Sequence, residues 1–138
     1  MTRERLELLA EELGVRQHIT FHGRVTRHTD LQDYYESADI FMLLSENQPN
    51  GDVEGFGIVA LEANLHGLPV IGARYCGVEE AVSHKYSGYL VDGDKEEEIL
   101  EGVTYCLENK SVLANGSRDW ARQHQWDEIV KQYQKILS

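Results

Sequence analysis

Two short apolar runs, DIFMLLS (39–45) and PVIGA (69–73), constrain this chain more than any other feature. Each is nearly unbroken, the signature of a strand buried on both faces. Between them lie a polar loop, ENQPNGDV (46–53), and a segment in which Ile58, Leu61, Leu65 and Leu68 recur at helical spacing. Gly67 and Pro69 punctuate that helix at its end. Strand, helix, strand in that order predicts a parallel pair, because parallel neighbours need a crossover connection.

The remainder keeps the alternation. Leu6, Leu9, Ala10 and Leu13 follow helical spacing, and Gly14 stands where a C-cap is expected. HITFHG (18–23) alternates apolar and polar residues and reads as a short strand ending on Gly23. DLQDYYESA (30–38) reads as a helix with Thr29 or Asp30 as its N-cap. GVEEAVS (77–83) is a short helix, GYLVD (88–92) a fourth strand, and Asp92 or Asp94 is placed to cap the helix through KEEEILEGVTYCLEN (95–109). Residues 111–137 read as two or three terminal helices, with Trp120, Trp126 and Tyr133 as packing anchors. The expectation is an α/β fold: a parallel sheet of about four strands, flanking helices and a helical C-terminus. At 138 residues, with 41% hydrophobic and 27% charged residues, the chain is the size of one domain, spanning 1–138, and is not disordered.

Composition excludes some functions. The formal net charge of −11 leaves no electrostatic footprint for nucleic acid or anionic lipid. No apolar run approaches the ~20 residues that cross a bilayer, and the N-terminal MTRERLELLAEELG lacks the apolar core of a secretory signal. Cys76 and Cys106 form no CxxC pair or disulfide framework, in keeping with a reducing cytoplasm. The six histidines have no zinc-like spacing.

Ligands of such sheets bind beyond the carboxyl ends of the strands. The loops at Gly23, Ser45–Gly57, Arg74–Gly77 and Gly93 all follow strands, so they belong to that edge. There Glu54 and Glu62 stand eight positions apart around Gly55-Phe56-Gly57. The glycines let a ligand approach the backbone, and the helix start offers amide N–H groups without intrahelical partners. Glu62 lies ~8 Å further along the helix. If both carboxylates face one ligand, it is extended and bears hydroxyls at both ends, as a nucleotide sugar does. The competing explanation is that acids near a helix start favour its dipole by ~0.3–1 kcal/mol without any ligand, in a chain with 24 acidic residues. His66, in the last helical turn before Gly67, and His84 are read as structural. DGDKEEEILE (92–101) is read as a capped, solvated helix face.

EGFGIVALEANLHGLPVIG (54–72) resembles, without a gap, the E-x7-E signature of the donor-binding domain of retaining GT-B glycosyltransferases, in particular glycosyltransferase family 4. LLAEELGVRQHITFHGRV, LQDYYESADIFMLLS, GVEEAVSHKYSGYLVDGD and HQWDEIVKQYQKIL are similar to the family's flanking segments, in order. The resemblance implies a Rossmann-like C-terminal half of GT-B and transfer of a glycosyl group from a nucleotide sugar, such as a UDP- or GDP-sugar, with retention and without a metal or other cofactor. Glu54 would hold donor-sugar hydroxyls, helped by Gly55, Phe56 and Gly57, and is the catalytic candidate. Glu62 would bind the ribose, Ile58 and Val59 the diphosphate, and Arg24 and Val25 would bracket the base.

Departures accompany the match. The family's glycine pair is Cys76-Gly77 here, and its usual proline is Glu79, with Glu80 at the glutamate position. The first strand–helix–strand unit, its basic Arg…Lys clamp and an acceptor-binding N-terminal domain are not in these 138 residues. The expectation is therefore a partial donor domain that needs a missing domain or a partner chain to turn over. Arg24, Arg74 and Lys85 are either substitutes for the clamp or solvated surface residues. The resemblance also implies that the last helix crosses to the other domain and carries a partner surface. No membrane contact through this domain is expected. The alternative is a non-catalytic sugar-nucleotide-binding or partner module, a split or truncated glycosyltransferase; an epimerase or phosphorylase fits the motif less closely.

Overall fold

A computed structural model describes residues 2–45 and 57–137. The chain divides into two compact units, residues 1–31 and 32–138.

In the first unit, α1 (Arg3–Glu12) starts at Thr2, whose Oγ1 accepts from the Arg5 N–H at 3.4 Å. It ends as the sequence predicts. Gly14 N–H bonds to Glu11 O and Val15 N–H to Ala10 O, both at 2.9 Å, which is the Schellman closure. A 3-10 turn follows at Arg16–His18. The strand expected at 18–23 is not formed. Ile19 has extended dihedrals, φ −118° and ψ 128°, but a strand also needs a ladder partner, and residues 19–27 have none among the described residues. Arg16 instead ties this stretch locally, donating to Ile19 O at 2.9 Å and lying over the Phe21 ring.

The helix α2 (His28–Ser37) starts earlier than Thr29 or Asp30 would place it as caps. Leu31 N–H bonds to Arg27 O, so both residues lie inside the first turn, where Asp30 pairs with Arg27 at 3.6 Å.

The second unit holds a three-stranded sheet, β1 (Phe41–Leu43), β2 (Val70–Ala73) and β3 (Gly88–Val91), in that order and parallel throughout. Phe41 pairs with Val70 and Leu43 with Gly72; Val70 pairs with Gly88 and Ala73 with Val91. That register brings all three carboxyl ends to one edge. Three described strands stand where four were expected.

Every residue of β2 and β3 is buried, as unbroken apolar runs require. One face is covered by α5 (Glu96–Glu108), whose Gly102 approaches Tyr89 and Val91. Ile71, Tyr89, Val91, Cys106 and Leu113 form the core there, and burial pushes the Cys106 thiol up to about 11. The other face meets α4 (Val78–Ala81), with Gly72 against Val78 and Val82.

The helix α3 (Ile58–Leu65) buries a different stripe from the one its large residues trace. Ala60, Ala63 and Asn64 are fully buried, whereas Ile58 is 68% and Leu65 44% exposed. Small residues win because α3 packs closely on α6 (Lys110–Gln123). Asn64 Nδ2 donates to Leu68 O at 2.9 Å and Ser87 O at 3.0 Å, and Ser117 Oγ donates to the same Ser87 O. Trp120 is an anchor as expected, donating from Nε1 to Ala81 O. Trp126, at the start of α7 (Trp126–Leu137), is not, being 79% exposed. The side chain of Tyr133 lies outside the described residues. Among the described residues no helix is long and apolar enough to cross a membrane.

Candidate functional site

The carboxyl edge of the sheet carries a cleft of about 240 Å³, lined among others by Ser45, Arg74, Tyr75, Cys76, Asp92 and Asp94. These residues follow β1, β2 and β3 respectively, so the cleft is a direct product of parallel register. Cys76 Sγ donates to Ala73 O at 3.4 Å and fills the turn as a small side chain does. Tyr75 just before it has φ +65° and is 75% exposed, a left-handed conformation that is unusual for an aromatic residue. Its N–H is held by Glu79 Oε2 at 2.8 Å, so the residue at the family's proline position stabilises the turn.

Beneath the cleft, Glu98 collects three donors: Arg74 at 2.9 Å, the Asp92 N–H at 2.9 Å and Lys95 Nζ at 3.2 Å. The Asp92 N–H, and then Lys95, hold its carboxyl below the usual range. Asp92 is lowered in turn, first by the Asp94 N–H. The helix face 92–101 is therefore not uniformly solvated, since Glu98 turns inward. Neither acid caps α5 as predicted; its N-cap is Lys95, and Asp92 Oδ1 instead closes the preceding turn on Asp94 N–H at 3.2 Å. Arg74, a possible phosphate clamp from sequence, already has its charge matched by Glu98. Lys85 lies over the rings of Tyr89 and Tyr105 at 5.8 and 5.4 Å.

Next to this edge, α3 begins at Gly57, whose φ of +75° and ψ of +50° suit glycine alone without strain. Among the described residues no side chain caps the helix, and no acid stands in its first turn. The N–H groups of Ile58 and Val59 have no acceptor within the helix, and both side chains are exposed. The positive end of the α3 dipole lies at these two amides.

Glu62 lies further along the same helix with its side chain exposed. Tyr35 Oη donates to Glu62 Oε2 at 3.4 Å. The Tyr35 ring is 8% exposed, stacked on His66 at 5.3 Å and edge-on to Phe41 at 6.0 Å. His66, the C-cap of α3, has Nδ1 3.8 Å from Glu36 Oε1. Burial, followed by the Glu62 charge, raises the Tyr35 phenol above its ordinary value. His84 is structural as read: its Nδ1 accepts the Leu90 N–H at 3.0 Å.

The structure thus brings Gly57, Ile58, Val59 and Glu62 onto one helix at the carboxyl edge. Glu54, Gly55 and Phe56 lie outside the described residues. Arg24 and Val25 follow Gly23 in the first unit. The sequence reading missed Tyr35 as a partner of Glu62. Its signal was available: Tyr35 stands four residues after Leu31 on a helix, and a phenol on a buried face needs a partner for its hydroxyl. Among the described residues no three His, Cys, Asp or Glu side chains gather as metal ligands.

Residues 2–135 match the family model of Glycosyl transferases group 1. The GDP-mannose-dependent alpha-(1-6)-phosphatidylinositol monomannoside mannosyltransferase of Mycobacterium tuberculosis is 33% identical over 139 residues, covering 97% of this chain and 36% of its own. Sucrose-phosphate synthase from Thermosynechococcus elongatus superposes with a TM-score of 0.77 at 25% identity, over 98% of this chain and 33% of that one. Anabaena HepE in complex with UDP-glucose superposes at 0.75 and 24% identity, over 97% of this chain and 36% of that one. The chain spans about a third of the length of the curated relatives it matches. With the family model matched over nearly its whole length, the chain belongs to the Glycosyl transferases group 1 family.

Proposed function

We propose that this chain is the donor-binding part of a retaining, family 4-like glycosyltransferase that moves a glycosyl group from a nucleotide sugar to an acceptor. The observation that carries the reading is the left-handed glycine start of α3 at the carboxyl edge, where the amides of Ile58 and Val59 have no acceptor within the helix, with the Glu62 carboxylate on the same helix. A diphosphate belongs at the first feature and a ribose diol at the second.

In this reading the amides of Ile58 and Val59 meet the diphosphate, and Glu62 takes the ribose hydroxyls. Glu54, with Gly55, Phe56 and Gly57, grips the donor sugar. No metal is required, because the charge that builds on the departing diphosphate is met by fixed N–H dipoles, which cost no reorganisation as the bond breaks. The leaving phosphate then guides the acceptor hydroxyl onto the face it departs from, which retains configuration. The exposed Ile58 and Tyr75 leave this edge open to water. Transfer in preference to hydrolysis therefore calls for an acceptor-binding body beyond these residues, in the same polypeptide or in a cytoplasmic partner.

Calorimetric titration of the chain with UDP-, GDP- and ADP-sugars tests the reading. The named donor of the mycobacterial relative and the ligand of the Anabaena structure put GDP- and UDP-sugars first. One class is expected to bind, and Glu62→Ala to weaken it ~10-fold or more, the scale of a lost hydrogen bond to a charged group. Binding that survives Glu62→Ala unchanged removes the ribose role.

A further inference from the structure

We infer that Tyr35 is the positioning residue for Glu62, its buried ring fixing a hydroxyl that holds one carboxylate oxygen so that the other is free for a vicinal diol. The inference rests on the reading of Glu62 as the ribose-binding carboxylate.

A glutamate on an exposed helix face samples several rotamers, and a ligand that needs one of them must first order it. Tyr35 narrows that freedom in advance. Its ring is clamped by three elements: α2, which carries it, Phe41 at the start of β1, and His66 at the end of α3. His66 stands one turn beyond Glu62 on α3, so the residue that stacks on the tyrosine and the residue its hydroxyl meets share one rigid segment. Packing alone does not call for the hydroxyl, because phenylalanine fills the same space and a buried phenol costs free energy unless it is paired. Its partner is a carboxylate that water would otherwise satisfy. The donation to Oε2 uses one of about four lone-pair positions and leaves Oε1 for a second donor. At 3.4 Å the bond is long for a phenol on a carboxylate, so it biases Glu62 toward one rotamer without locking it. Burial and the neighbouring charge both keep the phenol protonated, hence a donor, across the physiological range.

The test is a double-mutant cycle read by calorimetry. UDP, GDP and ADP are titrated beside their 2′,3′-dideoxy analogues into the native chain, Tyr35→Phe, Glu62→Gln and the double variant. Melting temperatures show that each variant is folded. Tyr35→Phe is expected to weaken the ribose form of the preferred diphosphate by roughly threefold to tenfold, the scale of one hydrogen bond. The dideoxy form should bind as before, and the loss should vanish in the Glu62→Gln background. Equal loss for both sugar forms, no loss, or a loss that persists beside Glu62→Gln overturns the positioning role. If Glu62→Gln abolishes the preference for the ribose form and Tyr35→Phe leaves it intact, only the Tyr35 inference fails. If Glu62→Gln leaves that preference intact, or no diphosphate binds, the ribose reading fails and takes this one with it.

Discussion

The two ends of α3 are built to opposite specifications. At its C-terminal end small residues let α6 pack closely, and Asn64 Nδ2 and Ser117 Oγ spend their hydrogen bonds on the carbonyls of Leu68 and Ser87. At its N-terminal end a left-handed glycine starts the helix, no side chain among the described residues caps it, and Ile58 and Val59 stand exposed. One eight-residue helix therefore joins a tightly packed end to an end whose first amides lack acceptors within the helix. The difference teaches where to look for a ligand in such a chain: at a helix start where glycine brings the backbone within reach and the first amides have no partner inside the helix.

The largest effect should come from breaking the closed end. A Cβ built on Gly116 would lie 2.0 Å from Tyr86 O and 2.9 Å from its carbonyl carbon. Alanine gains up to ~1 kcal/mol of helix propensity there, but backbone does not yield as a flexible side chain would. Gly116→Ala is expected to destabilise by about 3 kcal/mol, read by denaturant unfolding. A neutral or stabilised variant would show the packing to be looser than described.

Breaking the open end should cost less stability and more binding. At Gly57 a Cβ would meet Val78 at 3.4–3.5 Å, an ordinary contact, so the cost of Gly57→Ala is conformational, about 1–2 kcal/mol for a left-handed residue. The same variant should weaken nucleotide-diphosphate binding beyond what its lost stability explains. Equal nucleotide affinity in the folded variant would separate the helix start from the ligand.

The smallest effect belongs to neither end and serves as the control. Partial burial, and then the charges of Arg74 and Lys85, lower His84 from its ordinary value near 6.5, against an opposing contribution from Glu101. The unfolded chain therefore takes up this proton first as pH falls. The stability that neutral His84 contributes is complete above about pH 6.5 and is lost as pH drops from there through the lower folded-state value. Melting temperature should fall more steeply below pH 6.5 in the native chain than in His84→Gln. Identical slopes would remove His84 from the account, with nucleotide affinity unaffected in either case.

Much of this was legible in the sequence. PVIGA announced a buried parallel strand, Gly14 marked the end of α1, and the ordering of loops put the start of α3 at the carboxyl edge. DIFMLLS promised a strand buried on both faces, but β1 is only partly buried, with Met42 43% exposed. What misled was local pattern without its partner. HITFHG alternates like a strand, but alternation does not supply the neighbouring ladder that makes one. Ile58 and Leu65 suggested the buried stripe of α3, yet the close approach of α6 selects alanine and asparagine, a choice made by another helix far along the chain. The Glu98 cluster and the Tyr35–Glu62 bond are likewise meetings of distant segments, 24 and 27 residues apart, which periodicity does not encode.

The all-parallel register has an evolutionary consequence. β2 and β3 each end in a loop at the carboxyl edge, and the helix after β2 carries the chain back to begin β3. Residues that choose a ligand and residues that hold the sheet therefore occupy separate stretches of sequence. Loops such as Arg74–Gly77 and Asp92–Asp94 can diverge, lengthen or exchange one at a time while β2 and β3 remain untouched. A lineage can thus explore new substrates by rewriting short passages of the chain, leaving the scaffold's own instructions intact.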